Sequence, residues 1–196
     1  PSHPLQMPRS WDDRYLEQIG QGGSAKRVIA VLPFEVSSSV PAGEVMKVGD
    51  MMMTALFKTG VFELVEREKI AQVMSEQRLK TSGAIDDVSQ AAEVGKMLGA
   101  ELVVFGAVSG AGQNKIDKFA YDMIETHVRI DVRAADTTTG KILFSETADG
   151  LSESKVITSA DGTRLSGAID TGAEYMKAIS TATQQVAMNI WKLYPV

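Results

Sequence analysis

Residues Arg27 to Val36 read RVIAVLPFEV, and the rest of the fold is placed around that run. Val28, Ile29, Ala30, Val31 and Leu32 follow one another without a polar break, and a serine cluster closes the segment. A β-rich run of this kind reads as a buried strand. The expected strand is Val28 to Val36.

Pro41 and Glu44 open a helix with an apolar face of Val45, Val48, Met52, Ala55 and Leu56, stopped by Gly60. A short strand is expected at Phe62 to Glu66. The helix that follows it carries Ile70, Val73, Met74 and Gln77 on one side. Asp87 with Gln90 three residues later has the form of a capping box. The helix it starts presents Val88, Ala91, Ala92, Gly95 and Leu98, and Gly99 ends it. Leu102 to Val108 is apolar throughout and reads as a central strand.

The pattern then changes period. From Ile124 to Ala134 the even positions are apolar or Thr, while the odd ones include Glu125, His127, Arg129, Asp131 and Arg133. Period-two alternation of this kind is an antiparallel strand with one wet face. "DTTTGK", Asp136 to Lys141, is its hairpin turn, and Lys141 to Ala148 returns as the partner strand. Gly150 to Gly172 is polar and poorly periodic, an expected loop or excursion. Tyr175, Ile179, Ala182, Val186, Ile190 and Leu193 step by three or four into a long amphipathic C-terminal helix. The fold class is therefore α/β: a single domain with a mixed β-sheet, an antiparallel hairpin and helices packed on it. Residues 27 to 196 form that domain. Residues 1 to 26, with "PSHPLQMP" and "GQGGSAK", read as an N-terminal tether.

Composition narrows the chemistry. The chain has 196 residues, no cysteine, two histidines and a net charge of −5. Missing cysteine removes disulfides, thiolate nucleophiles and cysteine zinc sites together. No cluster of Lys and Arg suits a phosphate backbone, so no nucleic acid partner is expected. No run of about 18 apolar residues is present to form a membrane helix. The chain opens on Pro1 without a Met, as expected of a mature or trimmed product whose targeting segment precedes it. His3 falls in the tether, and His127 falls on the polar face of a strand between Glu125 and Arg129. "GQGGSAK" precedes a strand instead of following one, and "GAVSGAG" (Gly106 to Gly112) leads into no helix; both read as flexible connectors, not phosphate loops. Asp86, Asp87, Glu66 and Glu68 lie at helix starts, where they complement the dipole. No catalytic residue, metal site or cofactor is assigned, and the chain is not expected to be an enzyme. An α/β enzyme or nucleotide binder is the third reading. The candidate interaction surface is Met46, Met51 and Met53 on the first helix with Phe119, Tyr121 and Met123 near the alternating strand. The competing reading of the methionines is flexible core filler.

The order of these segments resembles the CsgG family, named for the outer-membrane curli secretion channel. The matching pieces are "VIAVLPF" at Val28–Phe34, "LFKTGVF" at Leu56–Phe62, "LVER" at Leu64–Arg67, "EQ" at Glu76–Gln77, the Ala92–Gly106 segment and "DTTTGKIL" at Asp136–Leu143. The resemblance implies a periplasmic, non-enzymatic α/β domain, tethered to the outer membrane by a lipidated cysteine that would lie just upstream of Pro1. It implies envelope or secreted protein partners and homo-oligomerisation, in the service of secretion or transport. In the curli channel, rings of copies build a β-barrel from two hairpins each. The corresponding regions here, Ser109 to Met123 and Asp149 to Gly172, carry Lys115, Asp117 and Lys118 in the first and no lipid-facing stripe in the second. The "SSSVPAGE" loop, Ser37 to Glu44, lacks the aromatic and Asn side chains of the channel's constriction. The second reading, without a pore, is an adaptor similar to the LpoB-type lipoprotein activators of peptidoglycan synthases.

Overall fold

The computed structural model describes residues 26–37, 43, 47–77, 85, 87–118, 121–157, 163 and 170–194. The elements are β1 (Arg27–Val31), β2 (Glu35–Val36), α1 (Val48–Lys58), β3 (Phe62–Leu64), α2 (Arg67–Glu76), α3 (Val88–Met97), β4 (Leu102–Lys118), β5 (Tyr121–Asp136), β6 (Ile142–Val156) and α4 (Thr171–Lys192). They form one mixed sheet in the order β3-β1-β4-β5-β6, with β2 beside β4. β1 is parallel to both β3 and β4, and β4, β5 and β6 form an antiparallel meander.

Alternating side chains of β1 and β4 go to two separate cores. Ile29, Val31, Leu102 and Val104 join α1 and α4 on one face, whereas Ala30, Leu32, Val103 and Phe105 join α2 and α3 on the other. Both faces of these strands are covered, as the unbroken apolar runs require. The expected strand at Val28 to Val36 is divided. Leu32 still donates its N–H to Val104 O at 2.8 Å, but Leu32–Phe34 is not strand and β2 resumes at Glu35. Pro33 has no N–H to give a ladder, which accounts for the break.

The helices largely follow their apolar stripes. α1 buries Val48, Met52, Ala55 and Leu56, and α2 buries Ile70 and Met74. Regular helix starts at Val48; Pro41 and Glu44, expected to open it, lie outside the described residues, as do residues 1–25 of the expected tether. Asp87 caps α3 by accepting the Ser89 N–H at 2.9 Å, one residue short of the expected capping-box contact. Gly99, with φ of 71°, ends it. α4 lies across the meander through Tyr175, Ile179, Ala182, Val186 and Ile190; Leu193, expected on that stripe, is 47% exposed beyond the helix end. Burying each large aliphatic side chain contributes about 1.5–3 kcal/mol, so the α4 interface is a main source of cohesion.

The largest departure from expectation is the length of the meander. Gly106 to Gly112 is not a connector but the middle of β4, which continues to Lys118 with a register shift between Val108 and Gly110. β6 does not stop at Ala148: Gly150–Val156, expected to be loop, is strand. Most of the remaining stretch to Gly172 lies outside the described residues. Backbone pairing to β5 overrides the weak β-propensity of "GLSESK". Gly150 is the device that allows it. A Cβ there would stand 1.8 Å from the Ala178 carbonyl oxygen, so the bare backbone lets α4 settle onto β6.

Gly150→Ala is expected to lift α4 from the sheet and cost about 1–3 kcal/mol in urea unfolding. Gly110→Ala, whose Cβ would meet Arg129 Cβ at 3.7 Å, should stay within about 0.5 kcal/mol. Equal effects of the two substitutions would contradict this account.

Candidate interaction surface

Asp131, Asp136 and Glu174 are engaged in structural hydrogen bonds. Among the described residues no three His, Asp or Glu side chains converge to hold a metal ion. His127 is exposed on the wet face of β5, its ring beside Gly112, where a Cβ would stand 2.9 Å from Cε1. Asp131 accepts a hydrogen bond from Thr147 Oγ1 at 2.5 Å. Hydroxyl donation from Ser109 and Thr147 holds its carboxyl below the usual range. Asp136 Oδ1 accepts the N–H groups of Thr138 and Thr139 at 2.9 and 2.7 Å, which organises the β5–β6 turn. Gly140, at φ of 67°, completes that turn.

Glu174 is the one carboxylate in the first turn of α4, and it is buried. Ser152 Oγ donates to its Oε2, and Lys177 Nζ donates to Oε1 at 2.8 Å. Burial opposes its charge, but hydrogen bonds from Lys177, Ser152 and Ser154 outweigh that cost and lower its pKa. The result is a polar tie between α4 and the later half of β6.

Two clefts flank α1. One, of about 250 Å³, runs between α1 and α4 past Met51, Thr54, Met176 and Ser180. The other, of about 210 Å³, opens where the connections from β1 diverge, a position at which α/β sheets often hold ligands. Its walls are Leu32, Pro33, Met53 and Ile70, and its rim is the solvent-exposed Arg67–Asp50 ion pair. That lining gives apolar contact but no converging set of donors.

The open surface is the wet face of the meander, opposite α4. Registered neighbours along it are Gly110, Arg129 and Asp149, then Gly112, His127 and Leu151, then Asn114, Glu125 and Glu153, then Ile116, Met123 and Lys155. Arg129 Nε donates to Asp149 Oδ1 at 2.7 Å. Glu125 and Glu153, in contrast, are directly opposite each other, and neither has an ion pair among the described residues. Lys155 holds its ammonium 5.0 Å from the Tyr121 ring centre.

The residues singled out from sequence are divided by this geometry. Met46 and Phe119 lie outside the described residues. Met51 and Met53 are half-buried flanks of α1 packed against the core that contains Met52. Tyr121 and Met123 are half-buried at the opposite element, the start of β5. They form two places, not one patch. The acidic pair and exposed Leu151 on β6 were missed because that strand was expected to end at Ala148. The small residues at Ala148, Gly150 and Ser152, spaced by two, were the available signal of a strand under a close-packed helix.

The family model described as "Curli production assembly/transport component CsgG" matches residues 16–118, more than half of the chain. The chain belongs to the CsgG family. Two solved structures share the fold over more of the chain. Lipoprotein GNA1162 from Neisseria meningitidis is 14% identical, with a TM-score of 0.52 over 85% of this chain and 97% of that one. The E. coli LpoB structure is 16% identical, with a TM-score of 0.51 over 71% of this chain and 66% of that one. At these identities the likeness is one of fold. No curated protein sequence matches the chain.

Glu174→Gln should cost about 1–3 kcal/mol at pH 7, because a charged acceptor is lost from a buried network. Since the folded pKa of Glu174 is lowered, its contribution is full above the unfolded value of about 4.3 and fades as pH falls through the folded value. Urea midpoints should therefore converge for the two proteins at low pH; a constant gap from pH 7 to 3 would contradict the assignment. Glu153→Lys should raise stability by about 0.2–1 kcal/mol by replacing a like-charge pair across the strands. A lower melting temperature would show that the facing carboxylates are not in conflict.

Proposed function

We propose that the chain is the periplasmic domain of a CsgG-like, outer-membrane-associated lipoprotein, anchored by a lipidated cysteine upstream of Pro1. It acts without catalysis, in the assembly or export of surface or envelope components, by binding other proteins and by oligomerising. The observation that carries this reading is the family match over residues 16–118, which takes in β1 to β4 and the helices between them. Two further observations support it. The carboxylates with lowered pKa values are committed to turns, strand contacts and a helix tie. No described helix is long and apolar enough to cross a membrane.

A second reading is a periplasmic adaptor that regulates peptidoglycan synthesis without forming a pore. What favours it is the far half of the meander. Lys115 pairs with Asp122 at 2.7 Å on one face, while Glu125, Glu153 and Lys155 occupy the other. Neither face presents the continuous apolar alternation of a lipid-facing strand. Fold likeness to E. coli LpoB agrees with this alternative.

The native mass of the full-length gene product, extracted from outer membranes in mild detergent, separates the two. A closed ring of many copies is the expected result. A monomer or dimer would overturn oligomeric assembly and favour the adaptor, whose binding to periplasmic domains of penicillin-binding proteins would then be measured directly.

A further inference from the structure

β6 ends the sheet. Among the described residues β5 runs along one side of it and no strand runs along the other. Over Ile142–Val156, alternate residues therefore turn backbone N–H and C=O groups away from β5. Proteins shield edges of this length with proline, bulges, lysines or a covering loop. β6 contains no proline, and its register with β5 is unbroken from Phe144 to Val156. Its one lysine, Lys155, is turned toward the Tyr121 ring.

The side chains along the open edge have a definite chemistry. The wet face of β6 presents Asp149, Leu151 and Glu153 in succession, and Leu151 is 49% exposed. Glu153 faces Glu125 across the strand pair without a cation between them. Directly opposed like charges weaken a sheet, so the arrangement leaves a cation deficit beside an open edge. The opposite face holds Gly150 and Ser152 buried beneath α4.

We propose that the β6 edge is a strand-addition site for an extended, basic segment of a partner protein. The segment pairs its backbone with β6 and sets a basic side chain beside Glu153 and an apolar one beside Leu151 on the wet face, where Asp149 already has Arg129 as its cation. Main-chain pairing supplies affinity and alternate side chains supply selectivity in this mode of recognition. A second copy of this chain fits less well. Pairing β6 with its own counterpart brings two acidic edges together. The outer side of β4 beyond Val108 presents Asn114, Ile116 and Lys118 on one face and Gln113, Lys115 and Asp117 on the other, so it brings a further acid to the edge and its Lys115 is already paired with Asp122. This inference rests on the reading of the chain as a protein-binding envelope component.

The test uses the 196-residue chain and a capped, fluorescent 11-mer with Lys and Val alternating on one face and Thr on the other. One control peptide is N-methylated at every second residue, and a second replaces Lys by Glu. Saturable binding is expected, with amides between Thr147 and Lys155 exchanging about tenfold more slowly in the complex. N-methylation, the Lys-to-Glu peptide, or Glu153→Lys in the protein should each weaken binding by about tenfold or more. Because Glu153→Lys is also expected to stabilise the fold, loss of binding by that variant cannot be assigned to unfolding. Equal binding of the N-methylated peptide, protection confined to the α1–α4 cleft, or no binding would overturn the proposal. Self-association abolished by Glu153→Lys would overturn it in favour of a second copy. Failure here with the detergent-extracted assembly intact removes the edge assignment alone and leaves the envelope reading standing.

Discussion

The first four residues of β4, Leu102 to Phe105, are at most 2% exposed, and they send side chains alternately into two different cores. A backbone enclosed in this way has no water to satisfy it, so each N–H and C=O must be paired by a neighbouring strand. β1 does this on one side and β5 on the other. The helices are then obliged to cover both faces, and their placement follows: α1 and α4 above, α2 and α3 below. Remove that double enclosure and neither core would have a wall.

Past the register shift at Val108 and Gly110 the same strands live under different rules. Among the described residues only α4 still covers them, and only on one side. The contact is close because Gly150 lacks a side chain and Glu174 reaches down to Ser152. The opposite side becomes water-facing and accumulates charge. One continuous set of strands thus serves as interior scaffold at one end and as exposed surface at the other, and the surface is where binding functions are housed in the readings developed above.

Sequence reading found the enclosed part with ease and stopped short of the exposed part, for a physical reason. In the enclosed part both periods are strong: unbroken apolar runs at Val28–Leu32 and Leu102–Val108, and stripes ending in Ala55, Leu56 and Leu98. Ile124 to Ala134 was equally legible because its partner residues alternate between core and water. Ser109–Lys118 and Gly150–Val156 are held as strands by cross-strand pairing and by α4, not by their own propensities. Such tertiary support leaves little trace in a local window. The acidic pair on the wet face was illegible for the same reason: Glu125 and Glu153 meet only through register. Pro33 shows the converse, a local strand-breaking feature that the apolar run flanking it masks.

The meander has a consequence for how the chain reaches this structure. β4, β5 and β6 follow one another in sequence, and the tight turn at Asp136 to Gly140 needs few residues to be brought together. β1, in contrast, must find β4 across a separation such as the 73 residues between Val28 and Glu101. Closing long loops is slow relative to zipping local hairpins. The meander with α4 docked on it is therefore the natural early-forming unit, and β1, synthesised before the other described strands, is among the last of them to be seated. Until then its unbroken apolar run is the segment most in need of protection from other chains.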